Sequence, residues 1–548
     1  MAHALAGKPV REQDIIDVQT IVDAYFDNVP DVTNPTQLVS FGTSGHRGTS
    51  VDGTFTDLHV AAITQAICDG RKQFGATGPI FVGQDTHALS QPALVTVLEV
   101  LAGNGVTAMV DCDMDFVPTP SVSRAIIRYN EEHDDKADGI IITPSHNPPD
   151  NGGIKYNTII GGPADTVVTK WIEMRANEYL TAYCESEDFK RISIDNIEPT
   201  AQVPYDYKGL YVEELGDVIN MEAIKAAGPK VLVDTLGGSG ASYWNAIKER
   251  YGLDLTIIHD DYDPTFSFMT YDHDGKVRMD CSSTYVMASV INRIGDFDLA
   301  VGNDPDYDRY GIVVSSGLIS ANTFLTLAAR YLFTTRGWKN KGVGKTVVCT
   351  TMIDKWAADA ETPVFEVPVG FKYFSQLLFD GAIGIGGEES AGASFLKKDG
   401  TVWTTDKDGM IMALLSMEIM AVMGKAALKM ADESLEEFGN PSFGRIDAPC
   451  KKEQKQILKQ MSAELITATT VDGDPITNIR TTSLYNDMPI DGVRVETDKG
   501  WFVARPSGTE DLYKIYGESY KGDLGLVALL TAGEEIVNAA LNGTIETE

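Results

Sequence analysis

The stretch from Gly139 to Asn157, GIIITPSHNPPDNGGIKYN, constrains this chain more than any other. Gly139 to Ile142 is an all-apolar run of strand length. Pro144, Pro148 and Pro149 then fall within six residues, and each fixes φ and removes a backbone donor. Such a segment neither continues a strand nor starts a helix. Ser145 and His146 are therefore expected on a stiff loop at a strand end, where open α/β sheets bind ligands. A rigid loop holding one hydroxyl suits a nucleophile, because reaching the reactive geometry then costs little entropy. The plainer reading is a proline-rich turn with an incidental serine. Other loops of the chain supply what a reactive serine requires, and they favour the functional reading.

The length of 548 residues gives a prior of about four domains. With 43% hydrophobic and 23% charged residues, the chain is globular with several cores. The balance of 45 basic against 79 acidic residues gives a net charge of −34. That argues against nucleic acid or an anionic membrane as partner, while a local Arg and Lys cluster can still receive an anionic substrate. Six cysteines, at 68, 112, 184, 281, 349 and 450, show no CxxC or zinc spacing, which suits reduced thiols in a cytoplasm. The N-terminus lacks an apolar signal region. The most apolar stretch, Met410 to Met423, is too short to span a bilayer and contains Glu418. The expectation is a soluble cytoplasmic protein.

Ile15, Val18, Val22 and Tyr25 predict an opening amphipathic helix. Strands are expected at Pro79–Gly83, Ala108–Val110 and Gly139–Ile142, making a βαβ-type domain. A second begins at Lys230–Asp234 and includes Asp298–Val301. The loop Gly237-Gly238-Ser239-Gly240 reads as a turn that closes the chain. A third has a helix around Phe324 and strands at Lys345–Cys349 and Ala382–Ile385. Gly344-Lys345-Thr346 is no P-loop, since Lys339 stands where the opening glycine belongs. Asp432 to Pro449 reads as a linker. A smaller α+β unit follows, with a helix through Leu458, Met461 and Leu465 and a hairpin turning at Thr497–Gly500.

Four loops carry chemistry. Asp304, Asp306 and Asp308 fall at i, i+2 and i+4, so in an extended segment three carboxylates share a face and can meet one hard divalent cation. An EF-hand is excluded, because Arg309 and Ser315 stand where its Gly and Glu belong. A second DxDxD at Asp111, Asp113 and Asp115 has no adjacent arginine and reads as a solvated strand end. Arg505, Ser507, Gly508 and Thr509 suit a phosphate cradle: a guanidinium fork, two hydroxyls and a glycine that admits backbone N–H groups. Glu388 and Ser390 could grip sugar hydroxyls, or Glu388 could belong to a core network. The glycines around Arg47 suit close approach to an anion or an ordinary turn. Nucleophile, carboxylate triad, hydroxyl grip and anion clamp together form a kit for phosphoryl transfer, which is mostly positioning and electrostatic stabilisation. No GxSxG is present, which argues against an α/β-hydrolase serine.

FGTSGHRG, TPSHNPPDNGGIKYN, GNDPDYDR, GEESAG and RPSGTE, in that order between residues 41 and 510, resemble the α-D-phosphohexomutase family, and most closely its long bacterial phosphoglucomutase branch. The resemblance implies four domains around a central cleft: three α/β/α sandwich domains with mixed sheets and a smaller α+β C-terminal domain. Their expected spans are 1–205, 206–318, 319–440 and 441–548. It implies Ser145 as phosphoserine, with one Mg²⁺ per chain held by Asp304, Asp306, Asp308 and Ser145. Lys155 resembles the general base, a role that needs a lowered pKa; Arg47, His146 and Arg309 would line the transfer site. Glu388 and Ser390 would bind sugar hydroxyls. Arg505, Ser507, Gly508, Thr509 and Lys514 would hold the non-reacting phosphate. The implied reaction interconverts α-D-glucose 1-phosphate and glucose 6-phosphate through glucose 1,6-bisphosphate, with sugar phosphates as the partners of a monomer or homodimer.

Two departures stand out. Tyr307 replaces the glycine of the DGDGDR common in the family, and Ala391-Gly392-Ala393 follows Ser390 where other branches place histidine. Lys372 and Lys407 are candidates for those missing contacts. The alternatives are a phosphomannomutase or phosphoglucosamine mutase. Further off stand a metal-dependent sugar phosphatase, though the DxDx[TV] signature is missing, and a non-catalytic sensor.

Overall fold

Gly139 to Ile142 does form a buried strand, Asp138–Ile142, and all five of its residues are buried. Its side chains alternate between two cores. Ile140 and Ile142 join Ile80, Val82 and Ile154 on one face of the sheet, while Ile141 joins Phe81, Val122 and Ile126 on the other. Helices cover both faces, which is why the run is apolar without alternation. The computed structural model of the chain describes residues 2–42, 45–184, 189–424, 428, 435–506 and 512–545.

The chain gathers into two compact units, one of Met1–Ala321, Phe374–Ala382 and Ser390–Lys429, the other of Asn322–Tyr373, Ile383–Glu389 and Met430–Glu548. The first unit contains two mixed sheets. One runs, in spatial order, His46–Thr49, Asn151–Asn157, Asp138–Ile142, Ile80–Gln84, Ala108–Asp111 and Gln202–Tyr205. Its last four strands are parallel to one another and the first two pair antiparallel. The other runs Gly317–Leu318, Gly311–Val314, Leu299–Gly302, Val231–Asp234 and Leu255–Ile258.

In the second unit Gly342–Thr346 pairs in parallel with Val364–Val367 and Ile383–Gly387. Lys345 on that strand is buried and pairs with Asp354, a structural role. The strand expected at Lys345–Cys349 therefore starts and ends three residues earlier. Beyond it lies a six-stranded antiparallel sheet, whose hairpin turns at Thr497 and Gly500 as expected.

The linker expected at Asp432–Pro449 is a correction. Ser442–Pro449 is an edge strand paired along its whole length with Leu512–Ser519; glycine and proline are tolerated at an edge. The helix expected through Met461 and Leu465 stops at Lys459, although Met461 is still buried. The opening helix starts at Val18 and leaves Ile15 exposed. Met410–Met423 lies on the helix Gly409–Met423, buried through Met420 and capped by Asp408, which accepts from the Ile411 amide. The C-terminal helix Gly522–Ile545 is long and apolar enough to cross a membrane. It buries Leu529, Leu530, Val537 and Leu541 with the antiparallel sheet.

Two histidines are folded into the first core. His46 and His59 stack at 5.3 Å. Each has a carbonyl before Nε2, Thr54 O for His46 and Gln37 O for His59, both at 2.9 Å. His59 Nδ1 meets the Thr56 amide, and His46 Nδ1 lies 3.2 Å from both the Ser40 amide nitrogen and its carbonyl oxygen; burial lowers the pKa of both rings and favours the neutral form. Burial, then His46, lowers the His59 pKa from 6.5 to about 3. The unfolded chain therefore binds a proton in that window that the folded chain does not. Stability falls as pH drops through it, by about 1.4 kcal/mol per unit for this one group. His59→Gln keeps the reach back to the Thr56 amide, as Gln does in a capping box, and removes the titration. Urea midpoints at about pH 7 and about pH 4.5 should differ less in His59→Gln than in the unsubstituted chain; an identical difference would exclude this histidine.

Candidate active site

Ser145 is buried at the end of the Asp138–Ile142 strand with φ +59°, a left-handed conformation that costs a residue with a Cβ and persists only where its surroundings impose it. The prolines stiffen the loop, and Gly153 lets the neighbouring strand close on it: a Cβ there would lie 2.2 Å from the Thr143 carbonyl oxygen. The Ser145 hydroxyl donates to Asp304 Oδ2 at 3.0 Å and stands 3.2 Å from His146 Nδ1. The stiff loop with a presented hydroxyl is as expected.

The carboxylate triad differs from expectation in its backbone. Asp304–Asp308 is a turn, with Tyr307 at φ +62°, not an extended segment. The turn still gathers one oxygen each from Asp304, Asp306 and Asp308 within 4.8 Å of one another, all buried. It is clamped from two sides. Thr119, at the start of the helix Thr119–Glu132, donates its amide to Asp306 O at 2.9 Å and its hydroxyl to Asp306 Oδ2 at 2.8 Å. Ser239 donates its amide and hydroxyl to Pro305 O, both at 2.8 Å. The Gly237–Gly240 loop is thus more than a chain closure. Gly238 and Gly240 also make room for the fully buried Tyr307 ring, which a Cβ on Gly240 would meet at 2.4 Å. In the second DxDxD only Asp113 is exposed; Asp111 is buried, against the solvated strand end expected there, and accepts the Asp113 and Asp115 amides.

Cations surround the triad. Lys155 Nζ lies 2.5 Å from Asp306 Oδ2 and 3.1 Å from Asp308 Oδ2, and Lys407 Nζ lies 3.1 Å from Asp308 Oδ2. Arg309 Nε is 3.9 Å from Asp308 Oδ1, and Arg47 lies in the field of all three carboxylates. Burial, then Asp306 and Asp308, pushes Asp304 well above the usual carboxylate range. Asp308 goes the other way: burial opposes its ionisation, but Lys155, Lys407 and Arg309 hold it well below that range. Burial alone would lower Lys155, and Asp306 and Asp308 overcome it and raise the ammonium. The lowered pKa that a base requires is not what these contacts provide, because the spacing that makes the triad a cation site also lets Lys155 act as its cation.

Asp306 Oδ1 and Asp308 Oδ1 are buried without a hydrogen-bond partner, a costly state for a charged oxygen. Together with the strain on Asp304, these hard oxygens fit a divalent cation such as Mg²⁺.

Sequence reasoning missed Asp280. It is half-buried in the site, 4.0 Å from His146 Nε2 and 3.8 Å from an Arg309 guanidinium nitrogen. Burial opposes its charge, but His146 and Arg309 bring its pKa down to about 2; burial, then Arg309, keeps His146 well below its ordinary value. Only tertiary contact marks Asp280, which belongs to no motif of the chain. Lys407, offered as a sugar contact, also pairs with Asp308 of the triad. Ser390 precedes Ala391, whose carbonyl accepts the Tyr310 amide at 3.1 Å, just beyond the carboxylate turn.

In the second unit, Glu388 is buried at the end of the strand Ile383–Gly387. Lys372 Nζ lies 5.5 Å from the Tyr373 ring centre. Arg505 pairs across its strand with Lys514 and donates Nε to Ile490 O at 2.8 Å. Ser507, Gly508 and Thr509 lie outside the described residues.

The phosphoglucomutase/phosphomannomutase family matches as alpha/beta/alpha domain I over residues 38–182, domain II over 210–317, domain III over 320–438 and the C-terminal domain over 447–524. The chain belongs to this family, whose members are isomerases that move a phosphoryl group. It is 46% identical to a phosphoglucomutase of Komagataeibacter xylinus, with 97% of both chains covered, and 27% identical to phosphoglucomutase 1 of Saccharomyces cerevisiae, with 90% of both covered. The crystal structure of Paramecium parafusin, a phosphoglucomutase, superposes with a TM-score of 0.72 at 19% identity, over 94% of this chain and 96% of that one.

The fit between loop and ring is testable. Gly240→Ala should destabilise the protein by about 1–3 kcal/mol, the scale of overpacking, in thermal melts. In a Tyr307→Gly background it should cost much less. Equal costs in both backgrounds would show that ring and loop do not compete for space.

Proposed function

We propose that this chain interconverts α-D-glucose 1-phosphate and glucose 6-phosphate by way of a phosphoserine at Ser145 and a glucose 1,6-bisphosphate intermediate. The observation that carries it is the Ser145 hydroxyl, held on a strained loop and hydrogen-bonded to a buried carboxylate triad. Asp304, Asp306, Asp308 and Ser145 would hold one Mg²⁺. When bound, that ion supplies charge neutralisation at the phosphoryl group.

In the forward half-reaction the sugar O6 attacks phospho-Ser145. The serine O–P bond breaks as the O6–P bond forms, and Lys155 takes the hydroxyl proton. Burial favours the neutral amine there, and the base role depends on the charges of Asp306 and Asp308 being engaged elsewhere. The bisphosphate then reorients, and its phosphate at C1 returns to Ser145. Arg47, His146, Arg309 and Lys407 line the transfer site, with Lys407 steadying Asp308. Glu388 and Ser390 meet sugar hydroxyls, with Lys372 as a further contact. Arg505, Lys514, Ser507, Gly508 and Thr509 hold the phosphate that is not transferred; the cross-strand pairing of Arg505 with Lys514 supports two adjacent cations there. Domains at 1–205, 206–318, 319–440 and 441–548 carry these loops. Free thiols at Cys68, Cys112, Cys281, Cys349 and Cys450 suit a cytoplasmic location.

Glucose 6-phosphate formation, followed through a coupled dehydrogenase with Mg²⁺ and trace glucose 1,6-bisphosphate, tests this directly. Turnover should need the bisphosphate, vanish with EDTA and fall by about a thousandfold or more in Ser145→Ala, the scale on which nucleophile deletions act. Full turnover by Ser145→Ala would end the phosphoserine reading. A higher kcat/KM on the mannose or glucosamine phosphate would reassign the sugar.

A further inference from the structure

Beneath the serine loop lies an ion pair that no motif above includes. Asp85 and His87 follow the buried strand Ile80–Gln84, and both side chains are fully buried. His87 Nδ1 faces Asp85 Oδ2 at 2.9 Å, and Nε2 faces the Asn147 carbonyl oxygen at 3.0 Å. A carboxylate and a carbonyl both accept, so both ring nitrogens must donate and His87 is an imidazolium. The contrast is with His59, whose Nδ1 meets the Thr56 backbone N–H. Asp85 is fully engaged. It accepts from the Thr143 hydroxyl at 2.6 Å, the Ser90 hydroxyl at 2.5 Å and the His87 amide at 3.0 Å. The Thr143 hydroxyl, having spent its proton on Asp85, accepts the Ser145 amide at 2.7 Å.

We propose that the Asp85–His87 pair is a positioning device for the nucleophile: it grips the Ser145 loop on both flanks, through Thr143 and at Asn147, and holds the serine in its left-handed conformation. The two halves act on opposite sides of Ser145, so neither flank can relax without breaking a charge-assisted hydrogen bond. The directions of the two ionisations agree. Burial opposes charge on both, yet Asp85 beside His87 is lowered and His87 beside Asp85 is raised. The Phe266 ring, 5.0 Å from the His87 ring, closes the pair from the other side. These residues touch no reacting atom; they decide where the reacting oxygen stands.

The catalytic part of this inference rests on the proposed phosphoserine reaction, and the test separates the two. Thr143→Val removes the hydroxyl relay at nearly constant shape, Thr143→Ser restores it, and His87→Gln removes the imidazolium. Amide exchange of the peptide spanning residues 143–147, followed by mass spectrometry, should speed up by about tenfold or more in Thr143→Val and His87→Gln, and return toward the original rate in Thr143→Ser. In the coupled assay kcat should fall by about ten- to a hundredfold, the scale on which small misplacements act, with KM within about twofold. Unchanged exchange in both variants would overturn the brace. Faster exchange with unchanged kcat would overturn its role in positioning. Faster exchange in the variants of a protein that never carries phosphate on Ser145 would uphold the brace and sink the phosphoserine reaction instead.

Discussion

Three carboxylates buried within 4.8 Å of one another cannot stand without countercharge. Burial and mutual repulsion act together on Asp304, Asp306 and Asp308, and the structure answers with Lys155, Lys407 and Arg309 from different parts of the chain. These ion pairs constrain the rest. A buried pair that loses one partner leaves an uncompensated charge, at a cost of about 3–5 kcal/mol. The strand that carries Lys155, the turn that carries the triad and the segment that carries Lys407 therefore hold one another in register. The same negative concentration makes the site a receptor for a hard cation, and through Ser145 it reaches the hydroxyl that a phosphoryl group would occupy.

The second constraint is rigidity at the nucleophile. Proline sets the dihedrals on either side of Ser145, Gly153 lets the adjoining strand close over Thr143, and Asp85 with His87 ties both flanks from below. A residue at φ +59° is a small store of strain, and so many supports around one serine are what such a conformation needs. The carboxylate turn uses the same logic with different parts. Tyr307 takes a left-handed position, and Gly238 and Gly240 across from it leave the space that seats its ring.

Much of this was legible in the chain. Strands with continuous apolar runs, the loops that follow them and the family itself could all be read, because those signals are local. Proline and glycine act on their own dihedrals, and a buried strand must be apolar wherever it lies. The edge strand Ser442–Pro449 was not legible. Its glycine, proline and charges match a linker, and only the distant strand Leu512–Ser519 supplies its hydrogen bonds. Asp280 and the Asp85–His87 pair escaped for a related reason. A lone acid or histidine has no meaning until its neighbours are known.

By itself, then, the sequence determined which loops follow the buried strands and which residue types stand on them, since backbone stiffness and ligand chemistry are properties of short covalent stretches. The tertiary structure decided how those residues are charged and which task each can take. Lys155 stands 151 and 153 positions from Asp306 and Asp308 along the chain and meets them only once the chain is folded. Lys407 turns out to steady the triad, and His87 is an imidazolium while burial favours the neutral form of His46 and His59. Charge state depends on burial and on partners across space, and neither is written in the order of the residues.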